Sequence, residues 1–201
     1  VKYYLKHNYF VIGCSRSSVV FKSDNYNHYS LDICDEKSVK KMFKEIRARH
    51  KRLDVLVNNA GIASMNHSLL TTMDTVHKIY NTNLAGTFLF SREAAKIMQV
   101  NKFGRIVNFT TVATALDLEG ESIYASSKAA VISLTKIMAK ELSSMGITVN
   151  AIGPTPIKTD LIKSVPEQKL NKLIDSQAIK RFGSFDDVTN VIDFFLSEKS
   201  N

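Results

Sequence analysis

Two cysteines, three prolines and eight glycines are all that this 201-residue chain carries of those residue types. Cys14 and Cys34 stand in neither a C-x-x-C nor a Cys/His pattern, which argues against a disulfide framework and leaves two reduced cytosolic thiols. No apolar run approaches the roughly 20 residues that cross a bilayer. No basic, then apolar, then small-residue leader opens the chain, so neither a membrane partner nor secretion is indicated and a cytoplasmic location is expected. The net charge is +8, yet the 27 basic residues are scattered, with no block of five and no interleaved aromatics. Solvated helix faces account for them, and no nucleic-acid partner is expected. The five histidines show no metal-ligand spacing, so no metal is expected.

What the chain does have is 44% hydrophobic residues, enough for one sizeable core, and only 23% charged ones, an ordinary globular composition. Short runs rich in Val and Ile, "YFVIGC" from Tyr9, "YNHYSL" from Tyr26, "LDVLVNN" from Leu53, "GRIVNFT" from Gly104 and "ITVNAIG" from Ile147, read as strands. Most are too continuously apolar to keep one face wet, which points to a parallel sheet covered on both sides. Helical patterns run from Glu36 to Arg49, Met73 to Met98, Tyr124 to Ser143 and Asp186 to Leu196. This alternation predicts an α/β fold of Rossmann type, a doubly wound parallel sheet with helices on both faces, in a single dinucleotide-binding domain over 1–201. "VKYYLKHN" reads as the last turns of a helix, with Asn8 as its left-handed cap. A helix feeding the first strand should itself follow a strand and a glycine turn. The expectation is therefore that the first and last strands of the sheet lie outside this chain.

Ligands of open parallel sheets bind beyond the carboxyl ends of the strands. That is where "CSR" (Cys14 to Arg16), "LDI" (Leu31 to Ile33), "NNAG" (Asn58 to Gly61), "FTT" (Phe109 to Thr111) and "GPTPIKT" (Gly153 to Thr159) fall. In "YASSK" the Tyr124 phenol and the Lys128 ammonium are one helical turn apart, on one face. A free phenol titrates near 10, too high for acid/base work at neutrality, and a neighbouring positive charge lowers that value. The alternative is a structural tyrosine beside a solvated lysine. Thr111, at the end of the preceding strand, offers a hydroxyl to a carbonyl held against Tyr124. Asn83, in "NTNLAG", sits inside a helix, where an amide is a poor structural choice.

Taken together, "DVLVNNAGI", "NTNLAGTFLFSREAAKIM", "GRIVNFTTVA", "YASSKAA" and "GITVNAIGP" resemble the short-chain dehydrogenase/reductase superfamily in its single-domain form, most closely the 3-oxoacyl-acyl-carrier-protein reductases. The resemblance runs from about Tyr9 to Leu196. It implies an NAD(P)-dependent enzyme interconverting a ketone and a secondary alcohol, with Tyr124 as general acid/base and Lys128 on the nicotinamide ribose, lowering the phenol pKa. It further implies Asn83 holding a relay water and Thr111 orienting the substrate carbonyl. Asp32 and Ile33 would bracket the adenine, and Asn59, Ala60 and Gly61 would line the ribose and diphosphate path. Ile157 would meet the nicotinamide carboxamide, with Pro154 and Thr159 nearby. Ser15 and Arg16, in place of an acidic residue, favour NADP(H) over NAD(H), although NAD(H) stays open.

Three departures stand out. The glycine-rich TGxxxGxG turn is absent, Thr155 and Pro156 follow Pro154 where the family has glycine, and the short "SSVVFKSDNYN" replaces a helix. The resemblance also implies a substrate carried on acyl carrier protein, whose docking positions map to Lys102 and Met145. Pro156 to Gly183 would form the substrate lid, and a homodimer or homotetramer would pair the long helices. A sugar, polyol, steroid or small keto substrate, or a non-catalytic dinucleotide-binding role, remains as the alternative.

Overall fold

The computed structural model describes residues 1–163 and 165–200; Ser164, within the expected lid, and Asn201, the last residue of the expected domain, lie outside the described residues. Helix α1 (Lys2–Lys6) leads into β1 (Val11–Ser15) through Asn8, whose φ of 62° is the left-handed cap the sequence indicates. Strand β2 (Tyr26–Ser30) follows residues 16–25, which form no helix. Next come α2 (Glu36–His50), β3 (Val55–Asn58), α3 (Met73–Tyr80), a π-helical turn (Asn81–Gly86) and α4 (Thr87–Met98). Strand β4 (Gly104–Phe109), α5 (Ala113–Leu116), α6 (Ser122–Leu142) and β5 (Ile147–Ile152) precede α7 (Glu167–Ser176) and α8 (Phe185–Leu196). The starts are set by side-chain caps: Asp35 accepts from the Lys37 amide, Thr72 from the Thr75 amide, and Ser184 and Asp187 form a capping box.

All pairings are parallel, and among the described residues the strands form two ladders, β1–β2 and β3–β4–β5. Among the described residues no strand hydrogen-bonds β1 to β3. What joins the two parts is side-chain packing. Leu56, Ile106 and Val149 point to one face together with Ile12, Cys14 and Tyr29, and meet Val39, Phe43, Leu89, Ala94 and Met98 of α2 and α4. The alternate residues Val57, Val107 and Ile152 face Tyr4, Ile192 and Leu196 of α1 and α8. That two-residue alternation puts helices on both faces, as the strand composition predicts.

The expected single helix from Met73 to Met98 is a correction. It keeps its direction but widens to π geometry over Asn81–Gly86 before continuing as α4. π-bulges of this kind open the backbone ladder and free a carbonyl. Here Thr87 Oγ1 donates to the Asn83 carbonyl at 2.8 Å.

A buried polar chain crosses the middle of the three-stranded sheet. Asn58 Nδ2 donates to Ser91 Oγ (2.9 Å) and to Asn108 Oδ1 (2.8 Å), and Asn108 Nδ2 donates to Thr135 Oγ1 (2.9 Å). Asn108 has no solvent exposure. Each buried polar group left without its partner costs about 1–3 kcal/mol, so the chain is stabilising only while it stays complete. Asn108→Ala is therefore expected to destabilise the protein by roughly 2–4 kcal/mol in urea unfolding, because it strips Asn58 and Thr135 at once; a loss below about 1 kcal/mol contradicts this account.

Candidate active site

Strand β4 ends between two side chains of α6. Thr110 turns its hydroxyl back to the Ile152 carbonyl at 3.0 Å and fixes the strand end against β5. The next residue, Thr111, accepts the Ala113 amide at 3.2 Å and lies close enough to the Tyr124 phenol for its hydroxyl to pull that phenol's pKa down. One turn along α6, Lys128 Nζ donates to the Phe109 carbonyl at 2.8 Å. The buried face of α6 carries Tyr124, Ser127, Lys128, Val131 and Thr135, the i, i+3, i+4 spacing of one helical stripe. Phenol, ammonium and threonine hydroxyl thus converge at one strand end, as the sequence indicates.

The electrostatics differ from the sequence expectation. The phenol lies above its ordinary value of about 10: burial raises it most, the Thr111 hydroxyl pulls it back, and Glu121 raises it again. Lys128 does not bring it down in this arrangement, because its ammonium is turned to the Phe109 carbonyl and is itself desolvated, with its pKa lowered to about 8. Glu121 escaped the sequence reading. Its own carboxyl is raised chiefly by burial and lowered by Lys169 of α7. The available signal was a carboxylate just before the tyrosine helix, within one turn of Tyr124.

Asn83 is fully buried and grips the end of the β3 loop with its whole amide. Its Oδ1 accepts from the Ile62 amide at 2.9 Å, and its Nδ2 donates to the Ile62 carbonyl and to Ser127 Oγ, both at 3.0 Å. These bonds use both amide protons and one lone pair of the side chain. The grip places Gly61 where a Cβ would stand 3.2 Å from Lys128 Nζ and 3.3 Å from Asn83 Oδ1. Only a residue without a side chain leaves that niche beside the ammonium open.

The remaining expected cofactor residues line the strand ends. Asn59 turns sharply, its amide bonding the Val57 carbonyl at 3.1 Å, and Ala60 follows it exposed. Asp32 Oδ1 accepts from the Cys34 amide at 2.9 Å, and Ile33 packs into the π-turn over Gly86. Gly153 rests against Thr110 and Thr111, bringing Pro154 next to the end of β4. Ile157 bridges to Gly183, and Thr159 starts a short 3₁₀ turn. Thr155, the departure from the glycine pattern, donates to Gln177 Oε1 and ties the loop to the end of α7. Gln177 had no sequence signal, since its partner lies far away in the chain. Ser15 and Arg16 belong to the other sheet part. The Ser15 hydroxyl donates to the Ser17 carbonyl at 2.7 Å.

Burial of Lys128 has a pH signature. Its folded pKa of about 8 lies below the ordinary lysine value of 10.5, so the desolvation penalty is fully present below pH 8 and vanishes above 10.5, where both states are neutral. Relative to Lys128→Met, the wild-type protein is expected to gain about 3 kcal/mol of stability across that window. Paired denaturant titrations from pH 7 to 11 measure it, and a constant difference between the two proteins rejects it.

Comparison with known proteins agrees with this geometry. A family model described as enoyl-(acyl carrier protein) reductase matches residues 17–201. The 3-oxoacyl-[acyl-carrier-protein] reductase FabG of Staphylococcus epidermidis is 35% identical over 162 residues, 81% of this chain and 66% of that protein. The chain thus spans just under two thirds of that relative's length. A solved structure of ElxO with NADP bound superposes with a TM-score of 0.90 at 32% identity, covering 100% of this chain and 86% of the other. A 4-hydroxyisoleucine dehydrogenase complexed with NADH gives a TM-score of 0.85 at 27% identity, covering 100% and 85%. With a family match over nearly its whole length and relatives above 30% identity, the chain belongs to the short-chain dehydrogenase/reductase family of oxidoreductases.

Proposed function

We propose that this protein interconverts a ketone and a secondary alcohol with NADP(H), and that Tyr124 is the general acid/base. The observation that carries the reading is the convergence of Tyr124, Thr111 and Lys128 on one strand end beside the open niche at Gly61. The donor set suits a dinucleotide: an ammonium for ribose hydroxyls, a side-chain-free approach at Gly61, and an arginine at the second strand end for a 2′-phosphate. The solved relative that carries NADP in its description supports the same cofactor. When bound, the reduced nicotinamide supplies the hydride.

The chain's residues handle the proton. Tyr124, protonated at neutral pH because burial holds its pKa up, gives its proton to the carbonyl oxygen as that oxygen becomes a hydroxyl. Thr111 donates a hydrogen bond to the same oxygen and stabilises its developing charge. Lys128 is cationic at neutral pH and would hold the ribose hydroxyls. Glu121 raises the phenol's pKa and so opposes the phenolate that proton transfer leaves behind.

For the substrate, a 3-oxoacyl chain on acyl carrier protein is the first reading, supported by the named relative and by a net charge of +8 that suits an acidic carrier. A small free keto compound is the second. Lys102 and Met145 precede β4 and β5, so they stand at the amino ends of those strands, opposite the edge that holds Tyr124. A six-residue strand separates the two edges by roughly 20 Å. Phe88 of α4 and Ile137 of α6 remain exposed, which supports pairing of these helices in a homodimer or homotetramer.

Tyr124→Phe is expected to cut turnover by about 10²–10⁴-fold or more, with NADPH affinity nearly unchanged. Cofactor oxidation over a panel of carrier-bound and free ketones, alongside direct NADPH titration, measures both. Turnover retained in the phenylalanine variant defeats the assignment. Tight NADPH binding by the wild-type protein without turnover of any ketone favours a binding role instead.

A further inference from the structure

Arg16 is the middle residue of a bracket whose two flanks are tied to a histidine on the neighbouring strand. Ser15 Oγ donates to the Ser17 carbonyl at 2.7 Å and closes a ring across Arg16. His28 Nε2 lies 3.1 Å from that same carbonyl and 3.2 Å from Ser15 Oγ. A carbonyl only accepts, so Nε2 donates to it. Tyr26 OH stands 2.9 Å from Nδ1. The ring is thus held by partners on both sides.

The surroundings are built to allow this contact. β1 and β2 pair in parallel with Gly13 opposite His28. A Cβ at Gly13 would stand only 2.4 Å from Tyr26 OH, so the glycine lets the phenol lie across β1 and reach the imidazole. Phe21, from the segment after Arg16, packs its ring 5.5 Å from Tyr26 and brings the chain back over the same face. The Leu31 amide holds the Ser15 carbonyl at 2.9 Å. Ser15 and Ser17 are exposed, and a lone serine hydrogen bond there competes directly with water. With the imidazole donating to both groups, the turn has one geometry.

We infer that His28 is a positioning residue for Arg16, holding the Ser15–Arg16–Ser17 turn in the shape that presents the guanidinium to the 2′-phosphate of NADP(H). This rests on the proposed cofactor reading, in which Arg16 meets that phosphate. His28 itself touches neither cofactor nor substrate. Its contribution appears as a preference for the phosphorylated cofactor and not as catalytic rate.

The test titrates full-length wild type, Arg16→Ala, His28→Ala, His28→Gln and His28→Asn with NADPH and with NADH, and follows KM and kcat for both. His28→Ala is expected to lower the NADPH-over-NADH affinity ratio by about tenfold, the scale of one charge-assisted contact, with the loss in the NADPH KM and not in kcat. Glutamine carries its amide nitrogen near the place of Nε2 and is expected to restore most of the ratio. Asparagine ends short of that place and is expected not to. A ratio that falls in Arg16→Ala but stays within twofold of wild type in His28→Ala overturns the inference while leaving the cofactor reading intact. A ratio unchanged in both overturns both. If His28→Ala fails to fold, the Gln–Asn pair decides: equal ratios in those two variants overturn the inference.

Discussion

The site hangs on the double hydrogen bond between one buried amide and one backbone residue, Asn83 to Ile62. An asparagine side chain offers a donor and an acceptor in a plane, and here both meet the same peptide-bearing residue. The loop after β3 is therefore fixed in distance and rotation relative to the π-turn. From that fixation follow the approach of Gly61 to Lys128 and the link through Ser127 to the helix that carries Tyr124. The π geometry belongs to the same arrangement, because it is within the widened Asn81–Gly86 segment that Asn83 faces the loop.

Burial sets the chemistry at the centre as much as charge does. A phenol and an amine one turn apart suggest mutual tuning, the simplest reading of their spacing. Once both are desolvated, each moves toward its neutral form: the phenol upward, the ammonium downward. Thr111 is the one group that works against this on the phenol. The strand end therefore acts as an electrostatic partner of Tyr124.

Much of this was legible beforehand for local reasons. Val- and Ile-rich runs between capping residues such as Asp35 and Ser184 mark the elements, and Asn8 announces its left-handed turn. Tyr124, Lys128 and Thr111 were legible because helix periodicity and strand ends determine which side chains meet. What escaped depends on contacts distant in sequence or on desolvation. The Thr155–Gln177 bond joins the ends of a long loop, and no pattern of residue types announces it. The π-turn looks like ordinary helix in composition, since its cause is a partner elsewhere. The committed hydroxyl of Ser15 follows from a histidine on the next strand. Pattern reading cannot supply the sign of the phenol shift either, because solvent exclusion is a property of the assembled fold.

The bond from Thr155 to Gln177 has a dynamic consequence. It fastens the loop after β5 to the end of α7, while Gly153 of the same loop rests against Thr110 and Thr111. A swing of α7 is therefore felt at the strand end beside Tyr124, and a ligand that orders one orders the other as a single coupled equilibrium.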